Sequence, residues 1–131
     1  MIVADAAVLA NAVGDDGANG TTARQEIQQA QGVAAPDLVN VEASAVLRKR
    51  WIAGDLTDDR LEAAVDALVA LPLVRYPTVG LLRRAVELRA NVTPYDAVYV
   101  ALAEALAVVL VTGDAKLAAA PGPRCAIRVL Q

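Results

Sequence analysis

The apolar positions of this chain fall in short blocks separated by polar or turn-forming residues, and the spacing within each block separates strands from helices. The most ordered stretch is 93–114, TPYDAVYVALAEALAVVLVTGD. Thr93 suits a helix N-cap, Pro94 the first helical position and Asp96 the acid of a capping box. Tyr95, Val98, Tyr99, Leu102 and Leu106 recur at helical spacing with only Glu104 interrupting, which predicts a helix buried on most sides. Residues 108–111 form a wholly apolar, mostly β-branched run, as a central parallel strand carries. Asp114 stands just beyond it.

The rest of the chain follows the same alternation. Ile2 to Ala4 reads as a short strand ending at Asp5, followed by an apolar helix over 6–13. Residues 14–20, GDDGANG, read as a loop. Thr22 and Gln25 have capping-box spacing and predict a polar helix to about Gln31. Val33 to Ala35 is a weak strand. Asp37 predicts the N-cap of a long helix that Gly54 terminates, with Arg48, Lys49 and Arg50 near its end, where the helix dipole favours cations. Thr57 caps the next helix, with an expected buried stripe of Leu61, Val65, Leu68 and Val69. Leu73 to Tyr76 is a third strand, 77–89 a helix with Leu81, Leu82, Ala85, Val86 and Leu88 apolar, and 115–119 a short helix. Residues 125–130 end as a strand, and Arg128 within it marks an edge. Strands alternating with helices, without hairpin signals, predict one three-layer α/β/α domain over 1–131. Its central sheet is expected to be mostly parallel, with four to five strands.

Composition then removes whole classes of chemistry. Histidine is absent, and Ser44 and Cys125 are the only serine and cysteine. A Ser-His-Asp triad, a Cys-His pair and a His/Cys zinc site are therefore impossible within one chain. No P-loop or GxGxxG pattern occurs. A net charge of −3 provides no global basic field, so any nucleic-acid contact must be local. The lone cysteine excludes an internal disulfide, no apolar run approaches the roughly 20 residues of a membrane span, and the start MIVADAAVLANAV lacks a basic n-region. The expected location is cytoplasmic, without membrane contact. If the chain is an enzyme, carboxylates must carry the chemistry, most naturally by holding a hard cation such as Mg²⁺ or Mn²⁺.

Most of the fifteen acids lie in loops and first helical turns. Asp5, Glu42, Asp96 and Asp114 are out of place, because each interrupts or borders an apolar block. Each also has a local explanation: Asp5 as a helix cap, Asp96 as a capping-box acid, Asp114 as a turn residue or cap, Glu42 as the partner of an arginine. A parallel α/β sheet nevertheless gathers the carboxyl ends of its strands at one edge, where ligands bind. Asp5 and Asp114 fall at such ends, and Glu42 and Asp96 lie near the starts of helices that face the same edge. Four oxygen donors would repel one another there, and a divalent cation relieves that repulsion.

The segments MIVAD, APDLVNVEASAVLRK, TPYDAVYVALAEAL and VLVTGD closely resemble, in order and over essentially the whole chain, the PIN-domain ribonucleases, specifically the VapC toxins of VapBC toxin–antitoxin pairs. The resemblance implies that Asp5, Glu42, Asp96 and Asp114 are the catalytic, metal-binding carboxylates, with Thr112 an accessory polar residue. It implies Mg²⁺-dependent hydrolysis of RNA (Mn²⁺ as a substitute), leaving a 5′-phosphate and a 3′-hydroxyl. Two positions depart from the family pattern. Ala7 replaces a small polar residue, and Leu117 stands where some members carry another acid, which bears on the number of ions held.

An acidic pocket repels RNA, so cations must hold the backbone nearby. Lys116, two residues past Asp114, is the foremost phosphate contact, with Arg48 and Lys49 next; Arg50 and the cluster Arg83, Arg84 and Arg89 are further candidates. Each reads equally as a solvated helix face, and Trp51 reads as core or interface. The resemblance also implies a homodimer and a small VapB-like antitoxin, for which the helices around 22–31 and 61–71 offer a docking clamp. Two other readings stay open: an antitoxin-independent PIN nuclease that processes stable RNA, and a catalytically inert PIN-like interaction module. A phospho-receiver domain would need paired acids after the first strand and an acceptor Asp after the third, and neither is present.

Overall fold

The computed structural model describes residues 1–130; Gln131, the last residue of the expected domain, lies outside them. Five strands form one sheet: β1 (Ile2–Ala4), β2 (Val33–Pro36), β3 (Leu73–Tyr76), β4 (Val109–Thr112) and β5 (Ile127–Val129). The order is β3-β2-β1-β4-β5, and every neighbouring pair is parallel. The sheet is thus wholly rather than mostly parallel, as expected when every connection between strands carries a helix. β1 lies at the centre, with Ile2 opposite Val33 on one side and Val109 on the other. Its three residues are buried, as are all four of β2, so strands this short are held by burial on both faces.

On one face α1 (Ala6–Gly14) packs against α2 (Ala18–Gln29), α3 (Val39–Ile52) and α4 (Asp58–Ala70). On the other, α6 (Pro94–Leu106) lies over β1, β2 and β4, with α5 (Leu82–Glu87) beside it. Every residue of α6 from Ala97 to Ala103 is buried. Glu104, which interrupts the apolar pattern, is bonded to Arg84 at 2.7 Å. Ala107 then takes the left-handed conformation (φ 55°), which reverses the chain into β4 and returns the start of α6 to the carboxyl edge of the sheet. α7 (Ala115–Ala119) leads to β5. At that edge strand Arg128 is paired with Glu26 of α2.

Several local expectations do not survive tertiary contact. α2 starts at Ala18, inside the expected loop, so Thr22 caps nothing and its hydroxyl donates to the Ala18 carbonyl. Asp37 is not the cap of α3; its carboxylate accepts the Thr78 N–H at 3.1 Å and the Thr78 hydroxyl, tying the β2–α3 link to the turn after β3. The helix expected over 77–89 is a 3₁₀ turn, Thr78–Leu81, followed by α5. Leu82 and Val86 face outward there, whereas Leu81, Ala85 and Leu88 are buried. Val69 of α4 and Tyr95 of α6, both expected in buried stripes, are exposed; the buried residues are Ala64 and Leu68 in α4 and Ala97 to Ala103 in α6. Among the described residues no helix is long and apolar enough to cross a membrane.

Candidate active site

The carboxyl edge of the sheet holds a cleft of about 430 Å³, lined by Asp5, Glu42, Asp96 and Asp114 together with Tyr99, Gly113 and the side chains of Ala6, Ala7, Ala45 and Val46. The four acids come from four separate elements. Asp5 ends β1, Glu42 is in the first turn of α3, Asp96 in the first turn of α6, and Asp114 precedes α7. Among the described residues no lysine or arginine lines the cleft.

The local explanations for these acids hold in part, and the acids still meet. Asp5 caps α1 by accepting the Val8 N–H at 3.0 Å, and its other oxygen accepts the Gly113 N–H at 3.2 Å and the Thr112 hydroxyl. Asp114 caps α7 through the Lys116 N–H at 2.8 Å. Thr93 caps α6 by accepting the Asp96 N–H at 3.3 Å. The partial positive charge at these helix starts offsets some of the repulsion among carboxylates. It does not remove it. Burial, then Asp114 and Asp5, push the Asp96 carboxyl above its ordinary value. Burial raises Glu42 as well, opposed by the hydrogen bond from Tyr99 and reinforced by Asp96 and Asp5.

Thr112 is wholly buried and is the link between two acids, because its hydroxyl oxygen also accepts the Asp114 N–H at 3.0 Å. The Tyr99 hydroxyl donates to Glu42 Oε1 at 2.7 Å. The sequence singled out Tyr99 only as a core residue; a buried tyrosine needs a polar partner for its hydroxyl, and that need was the available signal. The cationic candidates stay outside the cleft. Lys116, Arg48 and Lys49 are exposed and make no side-chain bond among the described residues. Arg50 is engaged with Asn11, and Arg84 with Glu104.

The side chains stop short of a coordination sphere: among the described residues no group of three or more acid, histidine or cysteine side chains could hold an ion as they lie. What they form is an acidic cleft with oxygen donors on several sides. A larger hollow, about 710 Å³, lies at the opposite end of α6, and its one acid, Glu104, is already bound by Arg84 and by the Arg124 N–H at 2.8 Å.

Parallel strands between two helical layers, with acids gathered at the carboxyl edge, define an α/β/α protein with an acidic cleft at the edge where ligands bind in such sheets. Residues 2–123 match the PIN domain. Over 130 residues the chain is 40% identical to Ribonuclease VapC1 of Mycobacterium tuberculosis, covering 98% of this chain and 97% of that one. The chain belongs to the PIN-domain family and, within it, to the VapC proteins. Solved structures share its fold, two of them as follows. VapC20 of M. tuberculosis, a sarcin–ricin-loop-cleaving toxin, superposes with a TM-score of 0.71 at 16% identity, covering 91% of this chain and 94% of that one. VapBC2 from Rickettsia felis, bound to a promoter DNA fragment, gives 0.66 at 15% identity with full coverage of both chains.

Proposed function

We propose that this protein is the toxin of a toxin–antitoxin pair, an Mg²⁺-dependent endoribonuclease that hydrolyses RNA phosphodiester bonds. The observation that carries the reading is the single cleft into which four elements bring Asp5, Glu42, Asp96 and Asp114 with no basic side chain to neutralise them. Forty per cent identity over 98% of the chain to a protein named as a ribonuclease supports it.

The donor set suits the group. It is all oxygen, the choice of Mg²⁺ or Mn²⁺, and burial together with the neighbouring acids pushes Asp96 and Glu42 up, a cost to their charged forms that a divalent cation offsets. These side chains must rotate to close on an ion, since those described do not enclose one as they stand. When bound, Mg²⁺ supplies positive charge that acidifies water and offsets the charge of the phosphate. Asp5 is held in place by Thr112 and Gly113, which leaves Asp96 and Asp114 as the acids free to act on water. Lys116, exposed beside Asp114, binds the RNA backbone, with Arg48 and Lys49 further along α3.

A small VapB-like antitoxin restrains the enzyme in the cytoplasm, and two copies associate as a homodimer. The neighbour from R. felis supports the antitoxin by being itself a VapBC complex. The test is purified protein on total RNA with Mg²⁺ and with EDTA, mapping the new 5′ ends. Cleavage only with Mg²⁺, leaving 5′-phosphates, supports the reading. No cleavage under any divalent cation would favour an inert interaction module, and an active chain that no small antitoxin encoded beside it binds or inhibits would favour a stand-alone processing nuclease.

A further inference from the structure

Tyr99 stands three residues after Asp96 in α6, one turn along the same helix face. Its side chain is almost fully buried, 2% exposed. The hydroxyl donates to Glu42 Oε1 at 2.7 Å, across 57 residues of sequence. Among the described residues this is the only hydrogen bond joining α3 to α6. Those two helices belong to opposite layers, so the bond crosses the carboxyl edge of the sheet at the cleft itself.

Phenylalanine would fill this space without asking for a partner; tyrosine brings a hydroxyl that must be satisfied, and an acid of the cleft satisfies it. Glu42 is also the one glutamate of the four acids, and the longer side chain has more rotamers to lose than an aspartate. It is repelled by Asp96 and Asp5. Without an anchor its carboxylate would turn toward water. Two of the other acids are held through their carboxylates by nearby backbone, Asp5 as the cap of α1 and Asp114 as the cap of α7, and the shorter Asp96 side chain is placed by the first turn of α6, whose Thr93 cap accepts its backbone N–H. Glu42 has only the tyrosine, and its second oxygen makes no hydrogen bond among the described residues.

We propose that Tyr99 is a positioning residue for the metal centre: its hydroxyl holds one oxygen of Glu42 and leaves the other for the cation shared with Asp5, Asp96 and Asp114. The proposal rests on the metal-site reading above. It predicts that α6 serves the centre twice, with an acid in its first turn and an anchor for a second acid one turn later.

Mn²⁺ binding by the whole chain, measured by titration calorimetry in the absence of RNA, tests this, with melting in EDTA as the folding control. Tyr99→Phe is expected to melt cooperatively and to weaken Mn²⁺ binding about tenfold or more, the usual cost of losing a hydrogen bond to a metal-binding side chain. Tyr99→Met provides a second variant without the hydroxyl. Glu42→Gln should weaken binding at least as much, and adding Tyr99→Phe to it should weaken binding no further, since Tyr99 acts on the cation only through the Glu42 carboxylate. Wild-type affinity in Tyr99→Phe, with binding lost in Asp5→Asn and Glu42→Gln, overturns the role of Tyr99 alone. So does full additivity in the double variant. If the wild type binds no Mn²⁺, or if Asp5→Asn and Glu42→Gln bind it unchanged, the metal site itself is wrong and this proposal falls with it.

Discussion

The Thr112 hydroxyl donates to Asp5 Oδ2 and accepts the Asp114 N–H at 3.0 Å, so one buried side chain joins the acid that ends β1 to the acid that follows β4. The two strands are paired neighbours, with Ala4 opposite Val111, and the threonine converts that pairing into a fixed separation of carboxylates. Thr112→Val keeps the shape and leaves both partners short of a hydrogen bond. It should cost about 1–3 kcal/mol, seen as a lower urea midpoint. Thr112→Ser keeps the hydroxyl and loses one buried methyl, about 1 kcal/mol. Cleavage should fall further in Thr112→Val than in Thr112→Ser; equal activity would mean that the hydroxyl only fills space.

Asp5→Asn and Asp96→Asn remove charge and almost no volume. Asparagine can still accept the Val8 N–H and cap α1, so the Asp5 variant should remain folded by far-ultraviolet circular dichroism. RNA cleavage in both should drop to the level of an EDTA control. An Asp5→Asn protein that cleaves at the wild-type rate would remove the acid from the mechanism.

The cleft also sets a pH dependence. Burial and neighbouring acids raise Glu42 above its ordinary value near 4.5 and Asp96 above its own near 3.8. The folded chain therefore holds these protons more tightly than the unfolded one. The stability they contribute is complete below the ordinary values and is lost as pH rises through the raised ones. Asp16, Asp37 and Glu104 are lowered by their partners and give the opposite slope, so the comparison must be between variants. Glu42→Gln should be the more stable protein in EDTA at pH 7, with the gap in melting temperature closing toward pH 4. Mg²⁺ at pH 7 should raise the melting temperature of the wild type and leave Glu42→Gln nearly unmoved. A gap that does not change with pH would show that neither burial nor neighbouring acids raise the Glu42 carboxyl.

What the sequence makes legible is what local grammar encodes. α6 is readable because cap, proline and apolar spacing agree, and the parallel sheet because helices separate every pair of strands. The four acids stand out because each breaks an apolar block. Contacts between distant segments have no such grammar. Asp37 has the spacing of a cap, yet its partner Thr78 lies 41 residues away. Tyr99 reads as core because its ring is core; only the hydroxyl faces Glu42. Residues 14–20 read as a loop because glycines usually punctuate, whereas Gly20 lies inside α2 for a packing reason.

That packing reason makes a prediction of opposite sign to propensity. Alanine in a helix interior normally gains about 1 kcal/mol over glycine. A Cβ on Gly20 would overlap the Asp15 carbonyl oxygen and stand 2.7 Å from its carbon and 2.8 Å from an Arg24 guanidinium nitrogen. Arg24 donates there to the Ala12 and Asp15 carbonyls, at 3.1 Å and 2.8 Å, closing the end of α1. The obstacle is backbone, which cannot rotate away, so α2 would have to move off α1 and take that arginine with it. Gly20→Ala should therefore destabilise the protein by about 2 kcal/mol or more. Gly80→Ala is the control, because nothing lies within 4 Å of its added carbon, and its stability should stay within about 0.5 kcal/mol of wild type. Urea melts of the two variants side by side decide the matter: equal midpoints would mean that the contact between α1 and α2 is looser than the close approach at Gly20 requires.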